Sequence, residues 1–167
     1  MNAAYFQMFA RYNQWANDHV LVACDTLDQV DLDAPRDAFF PSITKTMNHL
    51  LVGDTLWLAR LRGEILNMGL ADVPWPRFEA YKAARKSLDI SLIAHVDGLD
   101  DAALVEPLSY KNVAGEAYVT PRHIILAHVF NHQTHHRGQL HSQLLSAGCP
   151  SLEIDMIYFF RLNGYLQ

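Results

Sequence analysis

Five of the chain's nine histidines lie in the segment HVFNHQTHHRGQLH, residues 128–141. Neutral imidazole is a common ligand of divalent transition metals. His132 and His136 are four residues apart, so on a helix they lie one turn apart on one face, a spacing at which two imidazoles can bind one metal ion. Two ligands do not make a stable site, and a third would have to come from another helix. The alternative is structural: two inward-facing histidines that only form hydrogen bonds within the core.

The helical period divides the histidines of this segment. At about 100° per residue, the apolar sector contains Ile125, Val129 and Leu140, and His132 and His136 fall inside it or at its edge. Four other histidines fall outside this sector: His128 and His135 on its flank, and His123 and His141 on the opposite face. We therefore expect two histidines to face the core, two to lie beside them and two to be in solvent.

The composition limits the class of protein. The chain has 167 residues, with 13 lysines and arginines against 18 acidic residues, a formal net charge of −5 and no basic run, which argues against nucleic-acid binding. No apolar run reaches the roughly 20 residues that span a bilayer, and the first residues lack the pattern of a secretory signal. Cys24 and Cys149 have no metal-binding or redox spacing, so we expect a cytoplasmic protein without a disulfide framework.

Four long helices must position the histidines. Hydrophobic periodicity and the positions of Gly and Pro predict them over residues 3–27, 42–63, 77–96 and 121–147, with Pro121 as the first residue of the fourth. Two short alternating runs on either side of residues 112–115 predict a small hairpin or an irregular excursion before the fourth helix, and a short C-terminal helix follows within residues 153–162. The fold class is therefore all-α, an antiparallel four-helix bundle in a single domain over residues 1–167. The loops are long enough for one crossover.

Three segments of the sequence resemble the DinB-like family of bacterial metal-binding four-helix bundles, which is related to thiol-dependent transferases. They are RYNQWANDHV, ITKTMNHLLVGDTLWLARLRG and LAHVFNHQTHHRGQLHSQL, of which the core NHxxHHRGQ is the most specific. The resemblance covers essentially the whole chain. It implies a metal triad of His49, His132 and His136, with His135 as a neighbour, and it implies a homodimer.

His49 is assigned by this resemblance alone. It lies off the main apolar stripe of the second helix, on a second strip with Val52 and Leu56. Apolar contact on two sides of this helix is expected if it packs between helices or at a subunit boundary. Gly138, on the fourth helix, is expected to permit a close helix approach. Arg137 is expected either to pair with a carboxylate or to be in solvent.

A site of three neutral imidazoles leaves a coordination position for water or substrate, which is typical of catalytic metal sites. The ligand type suits zinc, nickel, cobalt or iron(II). Residues 121–148 contain no Asp or Glu, so the helix carries no HExxH-type general base, and the chain has no Glu-x-x-His of a ferritin-like di-iron bundle. No catalytic acid or base is identified. Asp54, Tyr110 and Tyr118 are considered, and each is expected to be a surface or packing residue.

Three functions remain open. The first is a metal-dependent enzyme acting on small electrophilic substrates, either a hydrolase or, as the resemblance implies, a thiol S-transferase that uses a low-molecular-weight thiol. The second is a non-catalytic, stress-associated metal-binding protein. The third is a plain dimeric bundle whose histidines only satisfy each other.

Overall fold

The four predicted long helices are present in the computed structural model, which describes residues 2–165. In chain order the elements are α1 (Ala3–Cys24), α2 (Gln29–Asp33), α3 (Ile43–Leu61), α4 (Phe78–Asp97), α5 (Asp101–Val105), β1 (Pro107–Lys111), β2 (Ala117–Pro121), α6 (Arg122–Ser146) and α7 (Met156–Leu162). The protein is thus mostly helical, with one small two-stranded hairpin. None of the helices within residues 2–165 is long and apolar enough to cross a membrane.

The long helices pack so that each contacts two others. α1 packs against α4 and α6, and α3 packs against the same two helices, so α1 and α3 occupy diagonal positions. Both the connection from α1 to α3 and the connection from α4 to α6 therefore run diagonally, where the sequence predicted a single crossover. The second of these connections contains α5 and the antiparallel hairpin, whose turn includes Gly115 at φ +86°.

Local sequence explains the ends of the helix that carries His49. The side chain of Ser42 accepts a hydrogen bond from the backbone N–H of Lys45, which caps the first turn of α3. The helix ends before Gly63, whose φ of +75° lies in the left-handed region that glycine adopts without strain. Two buried apolar clusters, on either side of the bundle's middle, then hold α3 against α6.

A buried polar network crosses the middle of the bundle and joins all four long helices. Its members are Asn13 and Asn17 on α1, Asp54 on α3, Arg85 and Asp89 on α4, and Gln133 and Arg137 on α6. Its two carboxylates and two guanidinium groups balance in formal charge, so burial leaves no net charge in the core. Gln133 and Arg137 directly follow His132 and His136 in the chain, and Asp54 lies five residues after His49. The network therefore fixes α3 and α6 next to the helix faces that carry these histidines.

The contacts of this network correct the prediction for Arg137 and decide between the two alternatives, surface or packing residue, for Asp54. Asp54 is not a surface residue: it is 2% exposed, its carboxylate is 2.7 Å from a guanidinium nitrogen of Arg85, and it accepts a hydrogen bond from the Gln133 amide. Arg137 is neither in solvent nor paired with a carboxylate. It is buried and donates to the side-chain oxygens of Asn13 at 2.8 Å and Asn17 at 3.0 Å.

Two further predictions differ from the structure, and for the second apolar strip of α3 the structure supports the first of its two alternatives, packing between helices. Pro121 is the last residue of β2 and the N-cap of α6, because its backbone pairs with Pro107 in the hairpin. Gly138 permits no close helix approach, since nothing lies within 4 Å of the Cβ that it lacks. Val52 and Leu56 are buried within one chain, so the second apolar strip of α3 is no argument for a subunit boundary.

Candidate metal centre

Packing of α3 against α6 brings three imidazoles to one point. The Nε2 atom of His49 lies 3.2 Å from Nε2 of His132 and 3.2 Å from Nε2 of His136. Each ring offers one nitrogen, and these three atoms all lie within 4.8 Å of one another. Two nitrogens bound to one zinc ion at tetrahedral angles are about 3.3 Å apart. The spacing of the trio, as we call these three Nε2 atoms, therefore fits a shared metal ion.

The other ring nitrogens show how two of the imidazoles are oriented. Nδ1 of His49 is 3.1 Å from the backbone oxygen of Leu70, which can only accept a hydrogen bond, so this nitrogen carries the proton. Nδ1 of His136 is 2.8 Å from the Gln139 side-chain oxygen, while the amide nitrogen of Gln139 faces His135. His49 is therefore an Nδ1–H tautomer, and His136 is one with the Gln139 amide in this orientation, so both Nε2 lone pairs point into the trio. Hydrogen bonds of this kind orient metal-binding histidines in other proteins.

Hydrogen bonding among the three rings does not explain their arrangement. A neutral Nε2 has either one proton or one lone pair, so it cannot form a full hydrogen bond with two other imidazoles at once. The fixed tautomers of His49 and His136 place two lone pairs 3.2 Å apart, which is repulsive without a cation between them. The donor set thus fits a bound divalent metal better than it fits a polar core contact.

Burial keeps the imidazoles of His132 and His136 neutral. His132 is half-buried, and burial, followed by the proximity of His136 and His49, lowers its pKa to about 3. Burial also lowers the pKa of His136, although the hydrogen bond with Gln139 partly opposes this shift. Neutral imidazole is the form that binds a metal ion, so no proton has to be displaced from His132 or His136 near neutral pH.

Residues outside the trio shape its surroundings. The ring of Phe40 stacks on His49 with centroids 4.3 Å apart and lies 5.6 Å from the ring of His136, so it covers one side of the site. Gly53, one turn after His49, lies against the ring of His132. Sequence reasoning missed Phe40, Gly53 and Gln139. Gly53 did carry a signal, because a glycine within an apolar helix, one turn from a histidine, indicates a close neighbour on that face.

The remaining histidines of α6 lie outside the trio. His128 and His135 are exposed and flank it, with His128 against His132 and His135 against His136, as the helical period predicted. His123 and His141 were expected in solvent, and this is wrong. Both are half-buried, and each has a backbone partner: Nδ1 of His123 is 3.0 Å from the Leu104 oxygen, and Nε2 of His141 accepts from the Leu152 N–H.

Within residues 2–165, no Cys, Asp or Glu joins the three histidines. Asp54 belongs to the buried polar network, and Tyr110 and Tyr118 stack on each other in the hairpin with centroids 5.9 Å apart. None of these three candidate residues is part of the trio. An all-imidazole donor set leaves coordination positions for water or another ligand.

Comparisons with known proteins agree on the family. The model of the DinB family matches residues 1–163. The chain is 28% identical to Protein DinB of Bacillus subtilis (strain 168) over 156 residues, which are 89% of this chain and 90% of that protein. The crystal structure of a DinB-like protein from Bacillus cereus ATCC 10987 has the same fold, with a TM-score of 0.69, 16% identity, and coverage of 90% of this chain and 96% of that one. The chain belongs to the DinB family.

Proposed function

We propose that the protein binds one divalent transition metal through His49, His132 and His136 and uses it to catalyse a reaction of small electrophilic substrates, as a thiol S-transferase or a hydrolase. The observation that carries the metal site is the direction of the lone pairs. Leu70 and Gln139 orient the rings of His49 and His136 so that both Nε2 atoms face a common point. These two Nε2 atoms are 3.2 Å apart. Such an arrangement is stable when a cation lies at that point.

The donor set supports an open site. Three imidazoles without a carboxylate or thiolate leave a position for a ligand from solution, and a metal there would act as a Lewis acid and lower the pKa of a bound thiol or water. The chain's own residues orient the rings through their Nδ1 atoms and exclude water on one side through Phe40. Zinc, nickel, cobalt and iron(II) all suit these ligands. Thiol transfer is favoured by the resemblance of the α6 motif to thiol-dependent transferases.

Metal analysis tests the ligand set. The protein is expected to bind one equivalent of metal, and His49→Ala, His132→Ala and His136→Ala are each expected to lose it without unfolding the bundle. His123→Ala is the matched control, because this histidine lies on the same helix with a backbone partner of its own. Full metal retention by His132→Ala would exclude the proposed ligand set.

A non-catalytic metal-binding protein is the second candidate. It is favoured by one observation: among residues 2–165, no Cys, Asp or Glu lies with the trio to act as a general acid or base. A screen of electrophiles with and without cellular thiols separates the two. Turnover by the metal-loaded protein that disappears in His132→Ala supports the enzyme, and no turnover with any substrate favours the binding role.

The cellular setting is also a proposal. We propose a cytoplasmic homodimer, on the basis of the low cysteine content and the resemblance to the family. Sedimentation of the purified protein tests the dimer, and a monomer at micromolar concentration would exclude it.

A further inference from the structure

A cavity lies between the end of α3, the segment that follows it and the β1–β2 hairpin. This hairpin cavity encloses about 690 Å³, which is within the range of small-molecule sites. Five large apolar side chains that line it are exposed to solvent: Ile65, Leu66, Val113, Tyr118 and Val119. Exposed apolar residues clustered around a concavity indicate a ligand site.

Arg60 supplies the polar group of this cavity. Its guanidinium lies 4.5 Å from the ring centroid of Trp57 and 5.6 Å from that of Tyr110, so two aromatic faces hold it in place. It is half-buried, and no hydrogen-bond acceptor or carboxylate pairs with its side chain among residues 2–165. A half-buried guanidinium that lies against two aromatic rings and has no acceptor among these residues offers N–H donors to a planar anion.

The cavity contains charged side chains of both signs. Its lining contains the cations Arg60 and Lys111 and a single carboxylate, that of Glu64, in a protein with a net charge of −5. The nearby carboxylate of Glu116 already accepts hydrogen bonds from Asn112 and Tyr118. The formal charges at the cavity therefore balance, so an anion is favoured by the unpaired guanidinium of Arg60 and not by a net positive charge.

We propose that the hairpin cavity binds a small amphipathic carboxylate, with the carboxylate on Arg60 and an aromatic or aliphatic body against the apolar rim. The site is separate from the trio, so its occupancy does not depend on the metal. The two sites are nevertheless linked by contacting rings: Trp57 lies 5.2 Å from both Tyr110 and His128, and His128 lies 5.7 Å from His132.

Calorimetric titration of the full chain with 4-phenylbutyrate, and with 4-phenylbutan-1-ol as its neutral counterpart, tests the proposal. We expect one carboxylate molecule per chain and roughly tenfold weaker binding of the alcohol. Arg60→Gln is expected to weaken the carboxylate about tenfold and to leave the alcohol unchanged. Arg62→Gln is the matched control, because this arginine donates to the Ser91 oxygen on α4 and does not line the cavity. It is expected to change neither affinity.

Two further arms keep the test decisive. Val119→Asp places a carboxylate on an exposed rim position, which does not threaten folding, and is expected to weaken phenylbutyrate more than phenylbutanol. Chelation of metal and His132→Ala are expected to leave phenylbutyrate binding unchanged, so the cavity can be confirmed even if the proposed metal chemistry fails.

Four binding results would overturn the proposal: no binding at millimolar concentration, equal affinity for acid and alcohol, an unchanged affinity in Arg60→Gln, or loss of binding on chelation, which would place the carboxylate on the metal. A dimer that dissociates in Val119→Asp would also overturn it, because the rim would then be an interface between two copies of the chain.

Discussion

Gly53 and His132 are in direct contact across the α3–α6 interface. A Cβ atom at position 53 would lie 3.2 Å from Cε1 of His132 and 3.7 Å from its Nδ1. The imidazole therefore occupies space that any other residue would take. Because Nε2 of the same ring is 3.2 Å from His49 Nε2, the ring cannot move away without leaving the trio. The missing side chain at Gly53 thus sets the position of one proposed metal ligand.

Gly53→Ala is expected to lower metal affinity about tenfold, since the ring of His132 must shift by a few tenths of an ångström away from the trio. The metal-free protein should keep its thermal stability, because alanine favours the helix. Gly138→Ala on α6 is the matched control: nothing lies within 4 Å of its added Cβ, so it should raise stability by up to about 1 kcal/mol and leave metal affinity unchanged. Equal metal affinity in both variants would contradict the expected crowding.

The hydrogen bond between Gln139 and His136 should also contribute to metal affinity. Gln139→Leu removes the acceptor of the Nδ1 proton, so the ring loses its fixed tautomer, and affinity is expected to fall about 10- to 100-fold in a metal titration. Gln139→Glu keeps an acceptor and should retain most of the affinity. If Gln139→Leu binds metal as tightly as the natural protein, the orientation of His136 does not depend on this bond.

The buried polar network should be sensitive to the loss of its central cation. Arg85→Met leaves the carboxylates of Asp54 and Asp89 buried without their shared partner, and we expect a loss of about 3–5 kcal/mol in the free energy of unfolding by urea. Arg11→Met is the control, because it breaks the exposed pair with Asp97, which contributes about 1 kcal/mol or less. Similar losses in the two variants would mean that the network does not stabilise the bundle.

Acid should destabilise the metal-free protein through the half-buried His132. The usual histidine pKa is about 6.5, and burial lowers the pKa of His132 to about 3 in the folded state. Below pH 6.5 the unfolded chain binds a proton at this position while the folded chain does not, so stability falls as the pH falls towards 3. The free energy of unfolding, measured in the presence of a chelator between pH 7 and 5, should show this loss of stability. His132→Gln should make this free energy depend less on pH. If the free energy of unfolding of His132→Gln depends on pH as strongly as that of the natural protein, His132 is not the cause of the loss in acid.

The four long helices could be predicted because periodicity, caps and breakers act within each segment. The short helices α2 and α5 could not, since five residues show no period. Each did have one local signal, an aspartate N-cap: Asp28 accepts from the backbone of Asp31, and Asp100 from that of Ala103. The diagonal connections depend on which helices pack together, and periodicity carries no information about that.

The candidate site was predictable in part for a similar reason. His132 and His136 are related by the helical period, whereas His49 lies on another helix and was identified only through the resemblance to the family. Arg85 and Asp54 are 31 residues apart in the chain, so no local pattern could show that they pair. Periodicity describes the face of one helix, and the residue that opposes it from a second helix follows only from packing.

The most direct test of metal binding by the three histidines is an anomalous difference map, recorded at the zinc absorption edge, from crystals of the zinc-saturated protein. We predict one peak about 2.0–2.1 Å from the Nε2 atoms of His49, His132 and His136. A zinc ion bound by other residues, with no peak between these three rings, would contradict the proposed site.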